Sequence, residues 1–200
     1  FNGVYLYSDT TSVKRKPVSI KNVKAIQAEC RMLDDDLRHL VALISDTGMR
    51  LSEATGLMTS DINIDSQYPH ISIKPHPHRQ LKTMSSQRIV PLVGQSLWAA
   101  KRVIENAKSV YCFPRYTNES GCNANSASAA INKWIKTVAS SDCVIHGLRH
   151  SFRDRLRAVE APLEVIDQLG GWSMRTVGQG YGDGYQLEIL NKWINMIVIH

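Results

Sequence analysis

The stretch Val144-Ile-His-Gly-Leu-Arg-His-Ser-Phe152 sets His146 and Arg149 three residues apart in a segment that reads as helical. Residues i and i+3 share one helix face, so an imidazole and a guanidinium converge on one small anion. A phosphodiester suits that pair. Arginine donates two parallel hydrogen bonds to non-bridging oxygens, and histidine donates or relays a proton. A His-x-x-Arg spacing arises often by chance, so its weight depends on what surrounds it.

Three further segments surround it in chain order. In Asp46-Thr-Gly-Met-Arg50-Leu-Ser-Glu53, the preceding Leu37, Leu40, Val41 and Ile44 recur at helical spacing, with Asp34, Asp35 and Asp36 as N-cap candidates and Gly48 as the stop. Arg50 then falls at a helix-to-helix joint, where Glu53, one turn on, can hold it. As a plain surface pair the two are worth under about 1 kcal/mol. The second segment spans Arg79 to Leu92. Ile71 and Ile73 before it, and Ile89, Val90 and Leu92 within it, predict a β-hairpin with a polar tip over Thr83–Gln87. Lys82 is expected where the first strand enters the turn, able to act as a general acid; a solvated strand-edge lysine is the ordinary alternative. The third segment, Gln168 to Tyr185, has a short helix ending near Leu169, then glycines, Trp172, and Tyr181 nine residues after that tryptophan. A tyrosine oxygen can attack phosphorus and form a covalent phosphotyrosine.

Together these segments resemble the catalytic domain of the tyrosine recombinases, the phage integrase family. The resemblance runs through Thr47-Gly-Met-Arg50-Leu-Ser-Glu53, Lys82 with Gln87-Arg-Ile-Val-Pro-Leu92, His146-Gly-Leu-Arg149-His-Ser-Phe, Leu169-Gly-Gly-Trp172-Ser, and Tyr181, covering about Ser19 to Tyr185. It implies a mainly α fold with a small antiparallel β-sheet (α+β), the DNA breaking-rejoining fold. It implies that Arg50 and Arg149 clamp the scissile phosphate, His146 assists proton transfer, and Lys82 protonates the leaving 5′ oxygen. Tyr181 is then the nucleophile of a 3′-phosphotyrosyl link, with Glu53 supporting. Many members carry histidine where Trp172 stands. An indole N–H can still hydrogen-bond the phosphate but cannot act as a base. Tyr185, thirteen residues after Trp172, does not match the family spacing, and Lys74 is the alternative to Lys82.

The implied function is a site-specific DNA recombinase or integrase from a phage or other mobile element, acting on double-stranded attachment sites. The implied assembly is a homo-oligomer on DNA, a tetramer in synapsis, with accessory DNA-bending proteins. A type IB topoisomerase-like relaxing enzyme and a catalytically silent DNA-binding module of the same fold are the competing readings. No carboxylate pair suited to magnesium ions stands out, and no Gly-rich nucleotide-binding loop. The expectation is therefore chemistry without metal, cofactor or ATP.

Composition fits a nucleic-acid partner. Lys+Arg number 24 against Asp+Glu 18, a net +6, with the excess gathered at Lys14–Lys16, Lys21, Lys24, Arg79, Lys82, Arg88 and Arg149–Arg157. The four cysteines form no CxxC pair, which points to a reducing cytoplasmic setting. His70, His76 and His78 lack the Cys or carboxylate partners of a metal set and read as loop histidines near DNA or solvent. Neither a signal peptide nor an apolar run of about 18 residues is present, so a membrane is not an expected partner.

The chain starts at Phe1 rather than methionine, and the expected organisation is a linker over 1–17 from an N-terminal DNA-binding domain, a catalytic domain over 18–185, and a C-terminal helix over 186–200 exchanged between protomers. A strand is expected at Val4–Tyr7. Helices are expected at 19–32, 35–47, 51–57, 94–108, 126–139, 146–159 and 162–169, with a short one near 173–179 and a loop over Tyr116–Asn125.

Overall fold

The computed structural model describes residues 16–172 and 184–199. The expected strand at Val4–Tyr7, the short helix near 173–179 and Tyr181 lie outside the described residues.

The centre of the fold is a helix that is buried on nearly every side. α1 (Ile20–Leu33) begins at Ser19, whose side chain accepts from the Asn22 N–H, and ends in a left-handed Asp34. Asp34 therefore closes α1, and Asp35 is the residue that caps α2 (Asp36–Thr47), accepting from the Arg38 N–H at 3.0 Å. From His39 to Thr47 every residue of α2 is buried, against α1 and the helices Gly94–Glu105 and Ile145–Ala158. Gly48 stops it with φ 61°, as expected of a C-terminal glycine. Arg50 follows and precedes α3 (Leu51–Thr55), so the joint foreseen between the two helices is present.

An antiparallel sheet comes next: β1 (Ile62–Asn63), β2 (His70–Ile73) and β3 (Arg88–Pro91), in that order. The register pairs Ile71 with Val90 and Ile73 with Arg88. Ile71, Ile73 and Val90 point into the core, whereas Ile89 remains 44% exposed on the other face. The hairpin departs from expectation in its connection. β2 ends at Ile73, and residues 74–87 form a long excursion with an isolated bridge between His76 and Arg79 and a 3-10 turn over Met84–Ser86. Lys82 is thus in this excursion and not at the mouth of a strand. Local alternation could not show this, because the excursion is held by tertiary hydrogen bonds.

α4 (Gly94–Glu105) ends earlier than expected, leaving Ala107 exposed and off the buried stripe. The expected loop at 116–125 contains a small antiparallel pair, β4 (Thr117–Asn118) and β5 (Gly121–Cys122). α5 (Ala124–Val138) buries Ala127, Ile131 and Ile135 fully, while Trp134 is only half-buried under the Arg38 guanidinium, 4.7 Å from its ring centroid. α6 (Ile145–Ala158) and α7 (Leu163–Gly170) follow. α8 (Leu187–Asn195) lies against β3 and α7 of its own chain, with Leu190, Ile194 and Ile197 buried. Among the described residues, no helix is long and apolar enough to cross a membrane.

Candidate active site

Glu53 organises the first half of the site. It is 2% exposed, and each of its oxygens serves a different guanidinium. Oε1 accepts from Arg50 Nη1 at 2.7 Å; Oε2 accepts from the Arg50 backbone N–H at 2.9 Å and from Arg88 Nη2 at 3.0 Å. Burial pushes the Glu53 carboxyl upward, but the attraction and hydrogen bond of Arg88 and the hydrogen bonds of Arg50 outweigh it, leaving it below its ordinary value. Arg50 also donates to Ser86 Oγ at 3.0 Å and to the Gly171 carbonyl at 3.2 Å. Arg88 donates to the carbonyls of Leu169 at 2.8 Å and Ser86 at 2.7 Å. Two arginines distant in sequence are thereby fixed against the same 3-10 turn of the β2–β3 excursion.

Arg149 forms the second half. It comes from α6, is 4% exposed, and donates to the carbonyls of Gly48 and, at 2.7 Å, Gly170. A guanidinium has five N–H donors in a rigid fork, so these two bonds fix its plane and leave the rest of the fork to meet an anion. Burial, followed by repulsion from Arg50 and Arg88, lowers its pKa to about 9, so it is a cation at neutral pH. The Trp172 ring covers it: the guanidinium carbons of Arg149 and Arg153 lie 4.5 and 4.6 Å from the ring centroid. Arg153 in turn meets Asp167 at 3.1 Å, and the Asp167 carbonyl accepts from the backbone N–H of Trp172 at 3.0 Å. The face of the indole packs on the two arginines, an arrangement compatible with its in-plane N–H donating to a phosphate.

The Leu169-Gly-Gly-Trp172 run explains itself through these contacts. Its first three carbonyls receive Arg88, Arg149 and Arg50 in turn. A Cβ on Gly170 would collide with the Trp172 ring, and Gly171, at φ 60°, would drive one into the Arg88 guanidinium. The motif is a three-carbonyl rack for the arginines.

His146 lies in the first turn of α6, exposed, with its ring edge-on to His150 at 4.9 Å between centroids. His146 and Arg149 border the same cavity of about 110 Å³ with Met49, Leu51 and Ser128. Lys82 is exposed, four residues before Ser86. Lys74, the alternative, is 3.2 Å from Asp61 and belongs to a different cluster. Tyr185 is gripped through its backbone: its N–H donates to Gln168 Oε1 at 2.8 Å and its carbonyl accepts from Gln168 Nε2 at 3.0 Å.

The histidines near the hairpin are structural. His76 is buried with Nε2 2.7 Å from Asp61 Oδ2, and it stacks on His78, whose Nε2 donates to the Gly56 carbonyl at 3.0 Å. His70 Nδ1 meets the Tyr68 carbonyl at 2.8 Å. His76 and His78 belong to the excursion and are turned toward these partners, whereas His70 opens β2; His70 and His78 are half-buried. Arg88 and Ser86 are the site residues that sequence reasoning missed. Arg88 had a signal: it shares its strand face with the inward Val90, where a lone arginine needs an internal partner.

The fold is that of the tyrosine-recombinase catalytic domain, and the chain belongs to the phage integrase family, whose model matches residues 18–186. It is similar to the tyrosine recombinase XerD of Corynebacterium glutamicum, 30% identical over 151 residues, which cover 72% of this chain and 47% of that protein. The chain thus spans about half the length of that curated relative. Among solved structures, the Tn1549 transposon integrase in complex with circular intermediate DNA superposes with a TM-score of 0.63 at 16% identity, over 90% of this chain and 64% of that one. The XerA recombinase does so with a TM-score of 0.61 at 16% identity, over 90% and 57%.

Proposed function

We propose that this chain is the catalytic part of a site-specific DNA recombinase that cuts and rejoins DNA through a covalent 3′-phosphotyrosyl intermediate. One observation supports this above the others: Arg50 and Arg88 share the Glu53 carboxylate, and Arg149 lies close enough to be repelled by both. That surplus of positive charge in a water-poor cleft suits an anion such as a phosphodiester.

In the proposed reaction Arg50 and Arg149 hold the non-bridging oxygens of the scissile phosphate. The Tyr181 oxygen attacks phosphorus, its proton leaving with the help of His146. The bond from phosphorus to the 5′ oxygen breaks, and Lys82 protonates that oxygen. The phosphotyrosyl bond keeps the energy of the phosphodiester, so a 5′ hydroxyl rejoins the strand by the reverse steps. Glu53 fixes Arg50, and the Trp172 face fixes Arg149. Charge stabilisation of this kind needs preorganised donors, and the carbonyl rack holds the arginine donors in place. The partners in this reading are double-stranded attachment sites, further copies of the chain assembled as a tetramer, and accessory DNA-bending proteins. Residues 1–17 are the linker from a DNA-binding domain, and α8 is exchanged between protomers on DNA.

The test is a suicide duplex carrying the attachment site, incubated with the full-length protein and resolved on a denaturing gel. The expected result is a covalent adduct that Tyr181→Phe abolishes and Tyr185→Phe spares. Relaxation of supercoils without recombinants would replace the reading with a topoisomerase-like one. DNA binding without an adduct would replace it with a silent binding module.

A further inference from the structure

Met84 is the most exposed large apolar side chain among the described residues, at 95%. Single exposed methionines are common and ordinarily mean nothing. This one differs in what carries it. It opens the 3-10 turn Met84–Ser86, which is closed by the Ser86 N–H on the Thr83 carbonyl at 3.1 Å and the Gln87 N–H on the Met84 carbonyl at 3.0 Å. Thr83 Oγ1 ties the turn across to Ser85 Oγ at 3.0 Å and Ser86 Oγ at 2.9 Å. Ser86 is then held from beneath: its hydroxyl accepts from Arg50 and its carbonyl from Arg88. The turn is a braced pedestal standing on the two guanidiniums that share Glu53, with Met84 at its outer end.

Distance makes this placement useful. Met84 is two Cα steps from Ser86, at most about 7.6 Å. Stacked bases advance about 3.4 Å along a strand. With the Ser86 side chain, the 3.0 Å Arg50–Ser86 bond and a further hydrogen bond of about 3 Å to the phosphate added, a phosphate held by Arg50 sets Met84 within about four to five base pairs of itself. Across from the turn, a cleft of about 440 Å³ separates Thr83, Met84 and Ser85 from Asp167, Gln168 and Trp172. Methionine is unbranched and polarizable, and proteins that kink DNA use such apolar side chains as wedges between base pairs.

We propose that Met84 is a specificity-determining wedge that unstacks a base step beside the scissile phosphate, an inference that rests on the DNA-cleaving reading above. It sets which steps are cut readily, because pyrimidine–purine steps open more easily than others. Lys82, two residues earlier, is delivered to the same place by the same turn.

Two readouts test it in the full-length protein. With 2-aminopurine at each position flanking the cleavage site and Tyr181→Phe protein, binding raises the fluorescence of one position; Met84→Ala abolishes the rise and Met84→Leu keeps it. In the suicide-duplex assay Met84→Ala slows adduct formation by about tenfold on the intact duplex. A mismatch at that step brings it within about twofold of the parent, because the step is already unstacked. Equal fluorescence with and without Met84, or a rate loss that the mismatch does not recover, would overturn the wedge. If no adduct forms with any variant while the Met84-dependent fluorescence persists, the catalytic reading falls and the wedge's role in cleavage specificity falls with it, leaving Met84 as an unstacking contact of DNA binding alone.

Discussion

Two buried arginine–carboxylate networks lie on either side of Gly48, and they are built to opposite ends. At Asp46, one carboxylate meets one arginine. Oδ1 accepts from Arg155 Nη1 at 2.9 Å and Gln27 Nε2 at 3.1 Å, Oδ2 accepts from the Gln95 N–H, and Arg155 finishes on the carbonyls of Ser45 and Ile197. Charge is balanced, and the network pins α1, α4, α6 and the chain after α8 to α2. At Glu53, one carboxylate meets two arginines and feels a third, Arg149. A network that served stability alone has no reason to gather excess cations in a buried place, since desolvating a charge is costly. On the proposed function, the first network holds the fold and the second holds the phosphate.

Substitutions that separate the two networks should give the largest effects. Arg149→Ala is expected to lower the rate of adduct formation by about a thousandfold while Tm stays level or rises, because it removes a charge that repels Arg50 and Arg88. Arg155→Ala is expected to do the reverse. It strands buried Asp46 and costs about 3–5 kcal/mol, read as a lowered urea midpoint, with near-normal cleavage per folded molecule where folding persists. Equal stability losses for both would erase the distinction.

A middle-sized effect is expected at Arg153. Arg153→Ala removes one of the two guanidiniums packed on Trp172 and the link to Asp167, and should slow cleavage about tenfold with little change in DNA affinity. Arg153→Lys should recover only part of the rate, since an ammonium lacks the planar face. Single-turnover rates measured over a DNA titration separate the two terms.

The helical framework was legible in the sequence because its signals are local. The 3.6-residue periodicity of α2, an N-cap among Asp34, Asp35 and Asp36 and the Gly48 stop each act within a turn. Arg50, Glu53 and Arg149 were legible from motifs whose spacing joins a helix end to a helix face. The β2–β3 excursion was not, because His76–Asp61 and Ser86–Arg50 bonds decide it and neither leaves a local pattern. Nor was the rack at Leu169–Gly171 legible, since carbonyls belong to every residue type and the sequence shows only the glycines that make room. Trp172 shows a subtler gap: the residue type reveals a ring face, and only packing shows that Arg149 and Arg153 occupy it.

The smallest expected effects concern titration. The folded-state pKa of Glu53 is depressed below 4.5, so its contribution to stability is complete above that pH and is lost as pH falls through the folded value. Glu53→Gln should therefore flatten the decline of Tm between neutral and acid pH, with Asp46 untouched. Inorganic phosphate should raise the Tm of the parent protein, and less so that of Arg50→Ala. An identical rise in both would count against an anion site at Arg50.

The most direct test of the central claim changes the charge of the substrate instead of the protein. Replacing the scissile phosphodiester with a neutral methylphosphonate removes the anion that the surplus arginine charge is proposed to hold. On this account Arg149→Ala, crippling on the phosphodiester, costs at most about tenfold on the methylphosphonate, because the charge it answered is gone. The same loss on both substrates would show that Arg149 supports the structure of the site and does not neutralise its phosphate.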